Sequence, residues 1–172
     1  MTNILNQLAL ASRRAAGLRS FQLLSDNDLS RVKAFFLSFD FDQRRACFGG
    51  GISDHSIHEY CDAIDWDRTT LIARSGPYCL EAVAILASLA SDRSAAELSV
   101  ACPLLCNQNP IIAELLDLAI EIASLQYEKL IVNRELANPD LMSLLRNSDA
   151  ARFDCEDVQI DLAARQRRTA AC

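Results

Sequence analysis

Several groupings of side chains in this chain are of types that do chemistry. His55-x-x-His58-x-x-Cys61 spaces two imidazoles and a thiol by three residues. On a helix such side chains share a face and could hold a transition metal. No fourth ligand is evident, so the reading taken is a helix face without a metal. Cys102-x-x-x-Cys106 brings two thiols together, and a thiolate there could be modified or could attack an acyl group. Apolar packing is the preferred reading of that pair. Arg44-Arg45 could grip phosphate or carboxylate, and the favoured reading is that they anchor a turn through carboxylate pairs. Glu97 lies in an alternating, strand-like run, where it faces either solvent or a cleft.

Composition narrows what this chemistry can serve. A chain of 172 residues is the usual size of one domain and long enough to bury a substantial core. With 23 acidic residues against 17 basic ones the formal charge is −6, and no broad basic run exists to neutralise phosphates. Nucleic-acid binding is not expected. Cys47, Cys61, Cys79, Cys102, Cys106, Cys155 and Cys172 form an odd set scattered through apolar segments. They read as reduced thiols of a cytoplasmic protein. Charge interrupts every apolar stretch before the ~18 residues a membrane span needs. Residues 1–25 lack acid and carry Arg13, Arg14 and Arg19, a balance shared with organelle transit peptides. The preferred division is a disordered or loosely docked leader over 1–20, one domain over 21–164 and a solvated tail over 165–172.

The elements that must position these groups follow from spacing. Residues 21–25 read as a strand ending at possible caps in Ser25-Asp26-Asn27-Asp28. Leu29, Val32, Phe35, Phe36 and Phe39 recur at helical spacing. Gly49-Gly50-Gly51 breaks the chain before a second helix that starts at Ser53-Asp54 and runs through Ile57, Tyr60, Cys61 and Ile64. Residues 69–73, 79–89 and 95–102 then read as strands of an antiparallel meander, separated by Ser75-Gly76-Pro77 and Ser91-Asp92-Arg93-Ser94. Propensity alone would make Glu81–Ala90 a helix, and the turn spacing decides for strand. Asn109 is expected to cap a long helix with Pro110 in its first position and an inward face of Ile112, Leu115, Leu116, Ala119, Ile120 and Ala123. A strand at 129–132, a short helix opened by Asn138-Pro139 with Leu141, Leu144 and Leu145 inward, and strands near 151–155 and 158–162 complete the domain.

This order, with the segment Phe41-Asp42-Gln43-Arg44-Arg45-Ala46-Cys47-Phe48-Gly49-Gly50, Ser53-Asp54-x-x-Ile57-x-x-Tyr60 and Ile64-Asp65-Trp66, resembles the GNAT (general-control-related N-acetyltransferase) superfamily. The likeness is to a bacterial subfamily in which a D-x-x-R-R-x-R-F-G turn precedes a S-D-x-x-I-x-x-Y-x-x-x-I-D helix. It continues through Ala96–Val100, Asn138 and Met142 and covers roughly residues 21–162. It implies an α/β (α+β) fold with a mixed, mostly antiparallel central sheet flanked by helices. It also implies acyl transfer from acetyl-CoA or another acyl-CoA to a small-molecule or protein amine, in a chain that could form a homodimer. Glu97 falls where the family often carries a catalytic base. The acid, a Tyr near the short helix in many members, has no counterpart in residues 133–149.

The resemblance places the cofactor against Val100, Ala101 and Cys102 at a strand end, against Asn107, Gln108, Asn109, Pro110, Ile111 and Ile112 in the next loop, and against Asn138. The family's Q-x-x-G-x-G loop offers backbone N–H groups at a helix N-terminus to the pyrophosphate, with glycines permitting close approach. Here its three positions are Asn107, Pro110 and Ile112, and no glycine occurs after Gly76. Pro110 lacks an N–H, and Ile112 is expected to stand where the family leaves a gap. Two functions follow: an acyl-CoA-dependent N-acyltransferase with altered cofactor binding, or a catalytically inactive binding, regulatory or dimerising module on the same fold.

Overall fold

The computed structural model describes residues 21–50, 52–103, 108–134, 139–148 and 151–162. The leader, the tail, Cys106, Asn107 and Asn138 lie outside them. The chain opens with β1 (Phe21–Leu24), and a short 3-10 turn at Asp26–Asp28 leads into α1 (Leu29–Leu37). The Asp28 carboxylate accepts the Ser25 N–H at 3.1 Å and holds that turn. Helix α1 buries Val32, Phe35 and Phe36, the stripe its spacing implies, and Phe39 follows them into the core.

The next element departs from the sequence reading. Residues expected to form a turn before the glycines are a helix, α2 (Phe41–Phe48). It has no apolar stripe: Gln43 is its one buried residue, and Phe41 is 64% exposed. Its ends create it instead. Asp40 accepts the Gln43 N–H and Gln43 accepts the Asp40 N–H, each at 2.9 Å, a reciprocal cap. Gly49 stops it at φ 72°, a conformation that costs side-chain-bearing residues. Helix α3 (Asp54–Asp62) then starts at Ser53, whose hydroxyl accepts the Ser56 N–H.

Arg44 binds these helices into one unit. Its guanidinium donates to the carbonyls of Leu37 (3.0 Å), Phe39 (2.9 Å) and Ile52 (3.3 Å) and to Asp54 Oδ1 (2.6 Å). The anchoring reading of Arg44 therefore holds, with backbone carbonyls as the main partners. Arg45 is exposed.

β2 (Thr69–Ser75), β3 (Leu80–Ser88) and β4 (Ala95–Ala101) form the meander, and α4 (Gln108–Ala123), β5 (Lys129–Asn133), α5 (Pro139–Arg146), β6 (Ala151–Phe153) and β7 (Asp157–Asp161) follow. The seven strands make one sheet in the order β1-β2-β3-β4-β5-β7-β6. All neighbours are antiparallel except β4 and β5, which α4 connects in parallel. The strand reading of the Ala-rich β3 is correct, and both its faces are buried: Ala82, Ala84 and Leu86 pack towards α4, and Leu80 and Val83 towards α1 and α3. Small side chains suit a strand sandwiched between helices, which overrides their helical propensity.

α4 and α5 cover one face through Ile112, Leu115, Leu116, Ala119, Ala123, Leu141, Met142 and Leu145. α4 begins at Gln108, so Asn109 lies within its first turn and does not cap it. Two Asn residues bracket Gln108, and the cap position falls before it, outside the described residues. Ile112 is 0% exposed and packs in the core, so its side chain does not shield the helix's first amides. The periodicity that puts Leu115, Leu116 and Ala119 inward also carries Ile112 inward.

Candidate active site

The site arises where two neighbouring strands part. β4 pairs with β5 only at Ala95↔Lys129, Ala96↔Leu130 and Glu97↔Ile131. Beyond that point β4 continues against β3 as far as Val83↔Ala101, and β5 continues against β7 as far as Asn133↔Asp157. The closed end of the gap is fastened: Lys129 Nζ meets Asp92 Oδ2 at 2.8 Å, and the Glu128 N–H donates to the Ser94 carbonyl at 2.8 Å. The Lys129 and Ser94 hydrogen bonds hold the Asp92 carboxyl down at about 2.

Strand alternation fixes what faces the gap. The Ala95 carbonyl accepts the Leu89 N–H on the β3 side. The peptide groups of Glu97, Ser99 and Ala101 therefore point to β3, and those of Leu98 and Val100 point to β5; the Leu98 N–H closes the last pair, at Glu97↔Ile131, and Val100 lies past it. Side chains divide the other way. Leu98, Val100 and Cys102 go into the α4 core, and Glu97 and Ser99 are exposed on the face carrying α1–α3.

On that face a cleft of about 270 Å³ lies over the gap, lined among others by Phe36, Cys47, Tyr60, Glu97, Ser99 and Val132. It shares Tyr60, Ile85, Ala87 and Glu97 with a more open groove of about 540 Å³ that runs to Asp65, Arg68 and Ala90. One wall is aromatic: the rings of Phe36, Phe48 and Tyr60 meet edge-to-face at centroid distances of 5.1–5.9 Å. Among the described residues, neither the Glu97 carboxylate nor the Tyr60 hydroxyl has a hydrogen-bond partner. Tyr127, in contrast, meets Ser88 Oγ at 2.6 Å. Burial, aided by the thiols of Cys61 and Cys47 and the charge of Glu97, pushes the Tyr60 phenol up to about 12. The residue keeps 39% of its surface, so the ring packs while part of it stays open to the cleft. Burial likewise pushes the Cys47 thiol up to about 11, and it is no nucleophile at neutral pH.

The structure therefore brings Glu97 together with the strand end at Val100 and Ala101. Cys102 is buried beneath that strand end, with its Sγ 3.6 Å from the Glu81 carbonyl, and it packs as an apolar residue. Pro110 is exposed in the first turn of α4, and it removes one of the amides that a helix start leaves free. Gln108 and Asn109 keep theirs. His55 and His58 are exposed and Cys61 is fully buried, so the three do not converge. His55 instead sits 3.4 Å from Glu59. No group of three metal-binding side chains converges among the described residues. No described helix is long and apolar enough to cross a membrane.

Tyr60 is the functional candidate that sequence reasoning missed. Its place on the stripe Ile57-Tyr60-Cys61-Ile64 marks it as core, and its position opposite Glu97 depends on how α3 lies across the sheet.

No family model matches the sequence, and comparison with curated proteins finds no match. Solved structures do match. The GNAT domain of S. lividans PAT superimposes with TM-score 0.62 at 11% identity, over 81% of this chain and 87% of that one. A chimera of the spermidine N-acetyltransferase SpeG from Vibrio cholerae with hSSAT gives 0.57 at 13%, over 84% and 98%. An N-acetyltransferase from Staphylococcus aureus Mu50 gives 0.57 at 13%, over 83% and 97%. At such identities the likeness is one of fold: the architecture is the GNAT acyltransferase fold.

Proposed function

We propose that this protein transfers an acyl group from an acyl-coenzyme A to an amine, with Glu97 as general base. One observation carries the reading: the edge of β4 past its last pairing with β5, at the peptide groups of Val100, borders a cleft whose single carboxylate, Glu97, has no partner among the described residues. An amide-bearing arm fits such an edge, because each unpaired N–H and C=O seeks a partner. A bound acyl-CoA supplies the activated acyl group. The chain's own part is to hold and to deprotonate. Val100 and Ala101, with Cys102 just beyond them, form the strand end that would hold the arm. The amides of Gln108 and Asn109 present the positive end of α4 to phosphate. Ile111 and Ile112 seat that helix on the core, and Asn107 and Asn138 complete the proposed cofactor set. Glu97 draws in the ammonium and accepts its proton, so that a neutral amine faces the acyl carbon. Solved neighbours named as N-acetyltransferases support an amine acceptor, whether small molecule or protein.

A second reading has its own observation. Pro110 deletes an amide at the phosphate end, and no glycine after Gly76 eases close approach. On this reading the fold survives as a non-catalytic binding, regulatory or dimerising module. Isothermal titration with acetyl-CoA, longer acyl-CoAs and free coenzyme A decides between the two. A cofactor bound only by the folded state also raises the melting temperature. Absence of heat at millimolar acyl-CoA rejects the transfer reading. Turnover of an amine panel near the ~10 s⁻¹ typical of enzymes rejects the non-catalytic one.

A further inference from the structure

We infer that Tyr60 is a second amine-binding group of this cleft, sharing the acceptor nitrogen with Glu97. The inference rests on reading the cleft as an amine site. An ammonium carries three N–H donors, and one carboxylate leaves some of them unmet in a cleft walled by Phe36, Phe48 and Ile85. Unpaired donors in such surroundings are costly, so a second acceptor is required. The polar side chains lining the narrow cleft are those of Cys47, Tyr60, Glu97, Ser99 and Asn133. The protonated thiol of Cys47 is a poor acceptor. Asn133 already has an interaction within the protein. Tyr60 and Glu97 alone line both the narrow cleft and the open groove among these five, so they flank the route an acceptor takes.

The chemistry of the two groups divides their work. With the phenol pushed up to about 12, Tyr60 stays neutral throughout the working range. A neutral phenol cannot take the proton of an ammonium. Giving its own to a departing thiolate, a weaker base than the phenolate, would run uphill. What remains is an oxygen lone pair for an N–H, on a ring that Phe36 and Phe48 fix in place. Proton acceptance belongs to Glu97, and placement of the nitrogen to both.

The test needs no turnover. Binding of n-butylammonium chloride is followed by chemical-shift titration of the intact chain, comparing the unaltered protein with Tyr60→Phe, Ser99→Ala and Glu97→Gln. Tyr60→Phe keeps the ring, and equal melting temperatures establish that the fold is kept. The expected result is a dissociation constant raised about tenfold or more by Tyr60→Phe, as for a hydrogen bond to a charged group. Glu97→Gln should weaken binding further, and Ser99→Ala should leave it within twofold. A change under twofold in Tyr60→Phe, or no butylammonium binding by the unaltered protein, overturns the inference. Failure of acyl-CoA to bind is a separate result and bears on the acyl-transfer reading alone. If transfer is measurable, the Michaelis constant for amine should rise in Tyr60→Phe while that for acyl-CoA stays unchanged. The opposite pattern overturns the assignment.

Discussion

Replacing Arg44 by alanine should destabilise the protein by about 3 kcal/mol. The guanidinium donates to three backbone carbonyls and one carboxylate, and its side chain is 16% exposed. Two of those carbonyls, of Leu37 and Phe39, lie at the end of α1, where carbonyls lack helical partners. Hydrogen bonds from a charged donor contribute about 1.5–3 kcal/mol each, but they do not add, since water reaches part of what the arginine vacates. The Asp54 contact contributes least. Its carboxylate is 72% exposed, so solvent screening holds the ion pair to about 0.5 kcal/mol. Arg44→Ala should therefore cost about 3 kcal/mol, Arg44→Lys about 2, because an ammonium cannot fork to all three carbonyls, and Asp54→Asn about 0.5. Urea unfolding followed by circular dichroism measures this as a fall in midpoint at constant slope. Equal losses for Arg44→Ala and Asp54→Asn would refute the carbonyl account.

Further outcomes follow from the same geometry. Glu97→Gln should lower kcat/KM for acyl transfer by about 10²–10⁴. Its unfolding free energy should stay within about 0.5 kcal/mol of the parent, because the exposed carboxylate has no partner to lose. Asp92 is held at about 2 against an ordinary 3.8, so its contacts stabilise the protein above about pH 4 and fade as pH falls towards 2. Asp92→Asn should accordingly lower the urea midpoint at pH 6 and converge on the parent at pH 2. Burial holds the thiols of Cys47 and Cys61 near 11, and Cys79 and Cys155 are exposed. Iodoacetamide at pH 8, read by peptide mass spectrometry, should label the exposed pair long before the buried one, whose thiolate fraction is about one in a thousand.

What could be read from the sequence was what neighbours in the chain decide. The stripe of α1, the apolar face of α4 and the turns around β3 are local patterns, and each gave its element. Helix α2 was hidden because Asp40, Gln43 and Gly49 define it by its ends, and Phe41, which catches the eye, faces solvent. Asn109 read as a cap because it precedes Pro110, and the helix begins just before it, at Gln108. For Ile112 two expectations competed, a core position and a cover over the phosphate site, and periodicity prevailed. Glu97 was legible through resemblance. Tyr60 was not, since nothing local shows that α3 sets its ring opposite a strand nearly forty residues later. The parting of β4 from β5 was equally silent, because it is a change in pairing and not in composition.

The cleft has two ancestries within one chain. Phe36, Cys47, Phe48 and Tyr60 come from a single uninterrupted stretch between β1 and β2, and Glu97, Ser99, Val132 and Asn133 come from the sheet. The two ends of that stretch return to adjacent strands, where Leu24 sits across from Leu71, and Arg44 ties its middle together without help from outside. Residues 25–68 thus behave as a cassette. Grafting a different cassette onto the same two strands would re-line one bank of the cleft and leave the β4–β5 opening as it is, so the two banks can change independently.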